Sequence, residues 1–150
     1  MVAVGDVMLQ IGHVLLEIEN YQFPGHTDRL DANWLQVRGR IEDPRGSWSF
    51  VDPCLTTQEL LKLERWLGAL DPGAPAIQSC YFTEPCLAFH FNPGPHPVLE
   101  LVLSHEAAPP WASAEQRLEG VSLQLPLSTN RPEVLQARVQ GLIARFPVVP

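Results

Sequence analysis

Short runs in which apolar and polar residues alternate recur along the chain, separated by turns rich in glycine and proline. Alternation gives a strand one apolar and one polar face, which is typical of antiparallel sheets buried on one side. Clear cases are Val14 to Tyr21 and Trp34 to Glu42, where Leu35, Val37 and Ile41 share the apolar side. The predicted strands are residues 7–11, 14–21, 34–42, 47–51, 77–82, 86–91, 98–105 and 121–127. Strands joined by such tight turns predict antiparallel pairing.

Two other segments have apolar residues at helical spacing. The first is residues 56–70, where Thr56 and Glu59 have the spacing of a capping box. The second is residues 131–146, for which Asn130 is the predicted N-cap. The apolar stripes consist of Leu60, Leu63, Trp66 and Leu70 in the first helix and of Leu135, Val139, Leu142 and Phe146 in the second. Both stripes need a sheet face to cover.

These patterns predict an α+β fold, a curved, mainly antiparallel sheet of about seven to eight strands with the two helices packed on one face. We expect residues 1–150 to form a single domain, because a chain of this length can bury one core. The other sheet face would be mixed, with Glu17, Glu19, Arg38 and Arg40 beside Leu15. We expect the sheet to curl and close part of this face, because strongly twisted sheets of eight strands tend to curl; the alternative is a face that stays open to a partner.

The charge balance bears on the kind of partner. Seventeen acidic residues stand against ten basic ones, a net charge of −7. This argues against a nucleic-acid binder, which needs a basic surface for phosphate contacts. It is compatible with a basic protein partner and equally with plain solubility. No apolar run is long enough to cross a bilayer, and Met1 to Gln10 lacks a signal-peptide core, so a cytoplasmic location without membrane contact is expected.

A search for reactive groups yields little. Cys54, Cys80 and Cys86 have no metal-binding spacing and are predicted to be buried free thiols, although Cys80 and Cys86 could face each other across a hairpin. Cys86, His90 and His105 could in principle approach each other as a zinc site, but ordinary strand histidines and a packed thiol are the simpler interpretation. No phosphate-binding loop, nucleophile elbow or paired-histidine motif occurs. The sequence therefore predicts no catalytic residues, no metal and no cofactor.

Acidic residues are densest between positions 28 and 52, and four of them, with one tryptophan, are the predicted partner-binding residues. They are Asp28, Asp31, Trp34, Glu42 and Asp43. Exposed tryptophan is a common interface anchor, and acidic groups would attract a basic partner. The alternative is a solvated acidic loop, with Trp34 packed at the edge of the sheet.

Several segments together resemble a known family. They are DANWLQV (31–37), GSWSF (46–50), DPCL (52–55), WLGAL (66–70), FTEPCLAF (82–89), PPW (109–111) and RFP (145–147). In order and spacing they resemble the WapI type of bacterial immunity proteins over nearly the whole chain, from about His13 to Pro147.

The resemblance implies a small, non-catalytic cytoplasmic antidote. Such a protein binds the toxic C-terminal domain of a contact-delivered polymorphic toxin; WapA-type toxins of this group act as nucleases on tRNA. A nuclease cleft is basic, so an acidic protein suits it. The alternative function is a small-ligand-binding or enzymatic domain that uses the concave face of the sheet, which predicts a pocket of some hundreds of Å³ with converging polar groups. The sequence indicates no oligomeric state.

Overall fold

The computed structural model describes residues 8–127 and 130–150. Val7, the first residue of the first predicted strand, lies outside them. The strands are β1 (Met8–Ile11), β2 (Val14–Tyr21), β3 (Trp34–Asp43), β4 (Gly46–Thr56), β5 (Gln78–Tyr81), β6 (Leu87–Asn92), β7 (Val98–Leu103) and β8 (Val121–Pro126). The helices are α1 (Arg29–Ala32), α2 (Thr57–Gly68), α3 (Ala114–Glu119) and α4 (Pro132–Arg145), with a 3₁₀ turn at His105–Ala107.

The eight strands form two antiparallel sheets of four strands each. Sheet A has the order β1-β2-β3-β4, and sheet B has the order β5-β6-β7-β8. The α+β class, the antiparallel pairing and the number of strands are thus confirmed, while the strands divide between two sheets. The division falls where α2 separates β4 from β5, because a helix in this connection replaces the tight turn that would pair them.

Strand pairing in sheet A explains one glycine. Ile41 lies opposite Val14 and Trp48, and Gly39 lies opposite Phe50. A Cβ on Gly39 would fall 2.1 Å from the Phe50 ring, so only glycine leaves room for that ring. The ladder between β3 and β4 is irregular from Leu35 to Val37, where β4 carries an extra residue. Pro53 lies at this irregularity, where it removes no regular ladder bond.

Helices α2 and α4 contact each other, α2 contacts β4, and α4 contacts β1. The predicted capping box of α2 is confirmed: the Thr56 side chain accepts from the Glu59 backbone, and the Glu59 side chain accepts from the Thr56 backbone. The buried stripes of both helices and the inner faces of both sheets share one hydrophobic core. None of the helices described by the structure is long and apolar enough to cross a membrane.

The predicted N-cap of the last helix is wrong. Arg131 occupies that position and Pro132 is the first helical residue. Asn130 is buried, and its side-chain amide donates to the Pro126 carbonyl at 2.9 Å. Its hydrogen bond therefore closes the turn after β8 instead of capping α4.

Two short helices lie in segments that were expected to be loops. Asp28 caps α1, and Ser113 forms a capping box with Gln116 at the start of α3. Neither helix is long enough to show an apolar stripe, so the caps were the only signals in the sequence.

Candidate partner-binding surfaces and a thiol cluster

The five predicted partner-binding residues lie at the two ends of β3. Asp28 and Asp31 precede the strand and Trp34 is its first residue, whereas Glu42 and Asp43 are its last two. At about 3.3 Å per residue, the nine steps from Trp34 to Asp43 span roughly 30 Å. The structure therefore separates the residues into two groups, and they do not form one acidic patch.

The first group surrounds α1. The Asp28 carboxylate accepts the backbone N–H groups of Leu30 at 2.8 Å and of Asp31 at 3.3 Å, which fixes the start of the helix. Leu30 is 78% exposed and Phe23, earlier in the same connection, is 43% exposed. We call Phe23, Asp28, Leu30, Asp31 and Trp34 the α1 surface. It combines large apolar side chains, which when exposed often mark protein interaction sites, with acidic groups that would attract a basic partner.

Asn33 holds the α1 surface in place. Its side-chain amide donates to the carbonyls of Arg29 at 2.7 Å and Val149 at 3.0 Å. Its side-chain oxygen accepts from the Thr57 hydroxyl at 2.5 Å and from the Val149 N–H at 2.8 Å. This 1% exposed residue thus joins α1, α2 and the segment after α4. The DANWLQV segment therefore carries a structural residue beside the predicted contact residues.

The second group forms the end of the β3–β4 hairpin. Arg45 pairs with Asp43 at 2.7 Å and also donates to the Ser122 carbonyl of sheet B at 3.1 Å. Hydrogen bonds from Arg45 hold the pKa of the Asp43 carboxyl below its usual value. Asp43 therefore positions an arginine that links the two sheets. Glu42 is exposed beside it.

The outer face of sheet A is accessible to solvent. Arg38 and Glu19 form a charge pair between neighbouring strands, with an N–O distance of 3.1 Å. Glu19, Arg40 and Glu42 are exposed. Of the two alternatives for the mixed face, the open one therefore holds for this sheet.

The outer face of sheet B carries a serine–histidine contact. The Ser79 hydroxyl lies 2.7 Å from His90 Nδ1, and Glu100 lies opposite His90 on the next strand. A groove of about 380 Å³ on this side is lined in part by His90 and His105. A catalytic serine and its general base also lie within hydrogen-bond distance of each other. The contact lies at β5, an edge strand of sheet B, and Ser79 is exposed whereas His90 is half-buried.

The trio of Cys86, His90 and His105, which the sequence made the less simple interpretation, is not brought together as a ligand group among the described residues. His105 Nδ1 lies 2.9 Å from the Ser104 hydroxyl, and His90 contacts Ser79. The side chain of Cys86 instead lies in another cluster, with Cys54 and Asp52.

All three cysteines are buried free thiols, as expected. Cys86 is close to Cys54, and both thiols approach Asp52 Oδ2, at 3.8 Å and 3.9 Å respectively. The hydrogen bond to Cys86, followed by burial, raises the pKa of the Cys54 thiol. Burial also raises the pKa of Asp52, and Glu106 and Glu84 add to that effect. Sequence reasoning considered Cys80 and Cys86 as the possible pair and missed Cys54.

Two tryptophans from the shared segments have structural positions. The Trp48 indole N–H donates to the Ala107 carbonyl at 3.0 Å, and its ring meets Trp111 edge-on with the ring centroids 5.3 Å apart. Because β4 carries Trp48 and the 3₁₀ turn carries Ala107, this contact connects sheet A to the chain that follows sheet B strand β7. These segments thus stabilise the fold.

Comparison with known proteins identifies a family model that covers most of the chain. No curated protein and no solved structure matches the chain. The model of the immunity protein WapI-like family matches residues 8–147, which is nearly the whole chain. The chain therefore belongs to the WapI-like immunity protein family.

Proposed function

We propose that the protein is a non-catalytic immunity protein of the cytoplasm that binds and neutralises the toxic C-terminal domain of a polymorphic toxin. The observation that carries this proposal is the family match over residues 8–147. An antidote of this kind works by occupying a surface of the toxin, so its chemistry is that of a protein interface.

The partner we propose is a basic domain, such as a nuclease with a phosphate-binding cleft. The net charge of −7 supports this choice, because opposite charge accelerates encounter. Charge alone gives modest affinity, and most binding energy comes from a few buried anchors.

The α1 surface is the proposed centre of the interface. Leu30 and Trp34 supply apolar anchors, and Asp28 and Asp31 supply charge. Most of the Leu30 side chain is exposed to solvent, so it is available to a partner. Glu42, with Asp43 at the other end of β3, is proposed as a second, peripheral contact. The roughly 30 Å between the two groups is within the width of one standard interface.

Growth rescue tests the function. The protein is produced in cells together with the toxic C-terminal domain encoded beside its gene. We expect growth to be restored and the purified pair to form a one-to-one complex. Failure of rescue together with the lack of a complex would contradict the proposal.

The Ser79→Ala variant separates binding from catalysis in the same assay. An antidote that acts by binding should protect as well with this exposed serine replaced, and protection should require one protein per toxin. Protection by much less than one equivalent, lost in the Ser79→Ala variant, would favour the enzymatic alternative, for which the Ser79–His90 contact and the adjacent groove are the supporting observations.

Association kinetics locate the interface. The Leu30→Ala/Asp31→Asn variant should bind at least tenfold more weakly, whereas Glu42→Gln should mainly slow association at low salt. Glu115→Gln on α3 is the matched charge control and should change neither rate by more than about twofold. Equal effects of all three variants would remove the α1 surface from the interface.

A further inference from the structure

The sequence contains the same short pattern twice, an acidic residue followed by proline, cysteine and leucine. One copy is Asp52 to Leu55 and the other is Glu84 to Leu87. The first lies in β4 of sheet A, and the second leads into β6 of sheet B. The fold brings the two cysteines together although one lies in sheet A and the other in the turn before β6 of sheet B.

Three potential metal ligands, two thiols and one carboxylate, are grouped at this point. The two sulfur atoms and an Asp52 carboxylate oxygen all lie within 4.8 Å of one another. The sulfur–oxygen distances are 3.8 Å and 3.9 Å. With zinc–sulfur bonds of about 2.3 Å and zinc–oxygen bonds of about 2.0 Å, a tetrahedral site has sulfur–oxygen edges of roughly 3.5 Å and a sulfur–sulfur edge of roughly 3.8 Å. The two sulfur–oxygen distances exceed those of a tetrahedral zinc site by roughly 0.3–0.4 Å.

Two further carboxylates, those of Glu84 and Glu106, interact unfavourably with Asp52. Both cysteines are fully buried, whereas Asp52 is only partly buried and provides a route from solvent. A half-buried carboxylate that is repelled by other acidic groups is stabilised when a cation compensates its charge.

We propose that Asp52, Cys54 and Cys86 bind one zinc ion. Glu84 occupies in the second segment the position that Asp52 has in the first, but its carboxylate is not part of the group within 4.8 Å, so the proposal assigns three protein ligands and leaves the fourth coordination position to water. Two thiolates select zinc over magnesium or calcium, which prefer oxygen ligands. The sequence had led us to expect no metal, because the two cysteines are far apart in the chain.

Such a site would tie sheet A to sheet B at a point where no strand ladder connects them. Binding converts two thiols to thiolates and releases their protons, so zinc affinity should fall as the pH is lowered. Because zinc would bind the folded chain and not the unfolded chain, it should also raise the temperature of unfolding.

The test uses the purified full chain, treated with a chelator under reducing conditions and then titrated with Zn²⁺. We expect one equivalent to bind with a Kd below about 1 µM and the unfolding midpoint to rise by about 5–10 °C at 100-fold excess over Kd. Co²⁺ should give the thiolate charge-transfer absorption and visible bands of a tetrahedral site.

Matched variants identify the ligands. Cys54→Ser and Cys86→Ser should abolish the Co²⁺ absorption, whereas Cys80→Ser, which removes the third buried thiol, should retain it. Asp52→Asn relieves repulsion in the metal-free chain, so it should fold normally and bind zinc at least tenfold more weakly. This variant keeps the test informative if a cysteine variant does not fold.

Three results would overturn the proposal. They are binding of less than about 0.2 equivalent of Zn²⁺, a Co²⁺ spectrum without thiolate bands, and equal loss of binding in the Cys80→Ser variant. A mass decrease of two hydrogens on exposure to air, with no zinc bound by the reduced chain, would assign the pair to a disulfide instead.

Discussion

Replacement of Asn33 by alanine tests whether one buried amide holds the α1 surface. The substitution removes four side-chain hydrogen bonds, at 2.5 to 3.0 Å, to Arg29, Thr57 and Val149. Each is worth about 1 kcal/mol net, and buried partners left without a bond add to the loss. We therefore expect the free energy of unfolding to fall by about 3–4 kcal/mol, a large part of the 5–15 kcal/mol typical of a domain.

Urea unfolding followed by tryptophan fluorescence measures this loss. With a slope of about 2 kcal/mol per molar urea, the midpoint should move down by about 1.5–2 M at unchanged slope. Asn92→Ala is the control, because its side chain makes one long bond of 3.4 Å to Glu100. It should cost less than about 0.5 kcal/mol. A midpoint shift of less than about 0.5 M for Asn33→Ala would refute the reasoning.

A double-mutant cycle separates the Asn33–Thr57 bond from the rest. Thr57→Val alone should cost about 1 kcal/mol, because it removes one donor to Asn33 and keeps the volume. In the Asn33→Ala background the same change should cost about 1 kcal/mol less, since the acceptor is already absent. Additive losses would show that the two residues act independently.

Three further variants test other contacts. Gly39→Ala should lower the free energy of unfolding by about 1–3 kcal/mol in the urea assay, because its Cβ would overlap the Phe50 ring; an unchanged midpoint would contradict this. Trp48→Phe should lose about 1 kcal/mol and lower the melting temperature by about 2–4 °C, because the Ala107 carbonyl loses its indole donor. Asp52→Asn should raise the melting temperature of the metal-free chain at pH 7, and this gain should vanish towards pH 3. The pKa of Asp52 is raised in the folded chain, so folding favours the protonated carboxyl, and the stability that this form contributes is lost as the pH rises through that pKa. A gain independent of pH would contradict the assignment to charge.

The sequence predicted those features that depend on neighbouring residues. Alternation indicated the strands, and Thr56 with Glu59 marked the start of α2. Asn130 misled because an amide before a helix can equally bond the carbonyl of a preceding turn, and only the packing of Pro126 decides between the two.

The candidate surfaces depend on distances that no local pattern contains. Asp28 and Asp43 looked close because they are near each other in sequence, but an extended strand lies between them and separates them. Conversely, Cys54 and Cys86 looked unrelated, and their contact follows from the way sheet A meets sheet B. The repeated acidic-proline-cysteine-leucine pattern was the available signal.

The strand order has a consequence for how the chain folds. In each sheet every strand pairs with the strand next to it in sequence, so the ladders arise from contacts with short loops between them. Contacts between the sheets, such as the Arg45 bond to the Ser122 carbonyl, close much longer loops. We infer that each sheet can assemble as its own cooperative unit and that their docking comes later. The thiol cluster and the Arg45 link would then be among the last native contacts to form. Formation of the contact between Asp52 and Cys86 would therefore indicate that folding is complete.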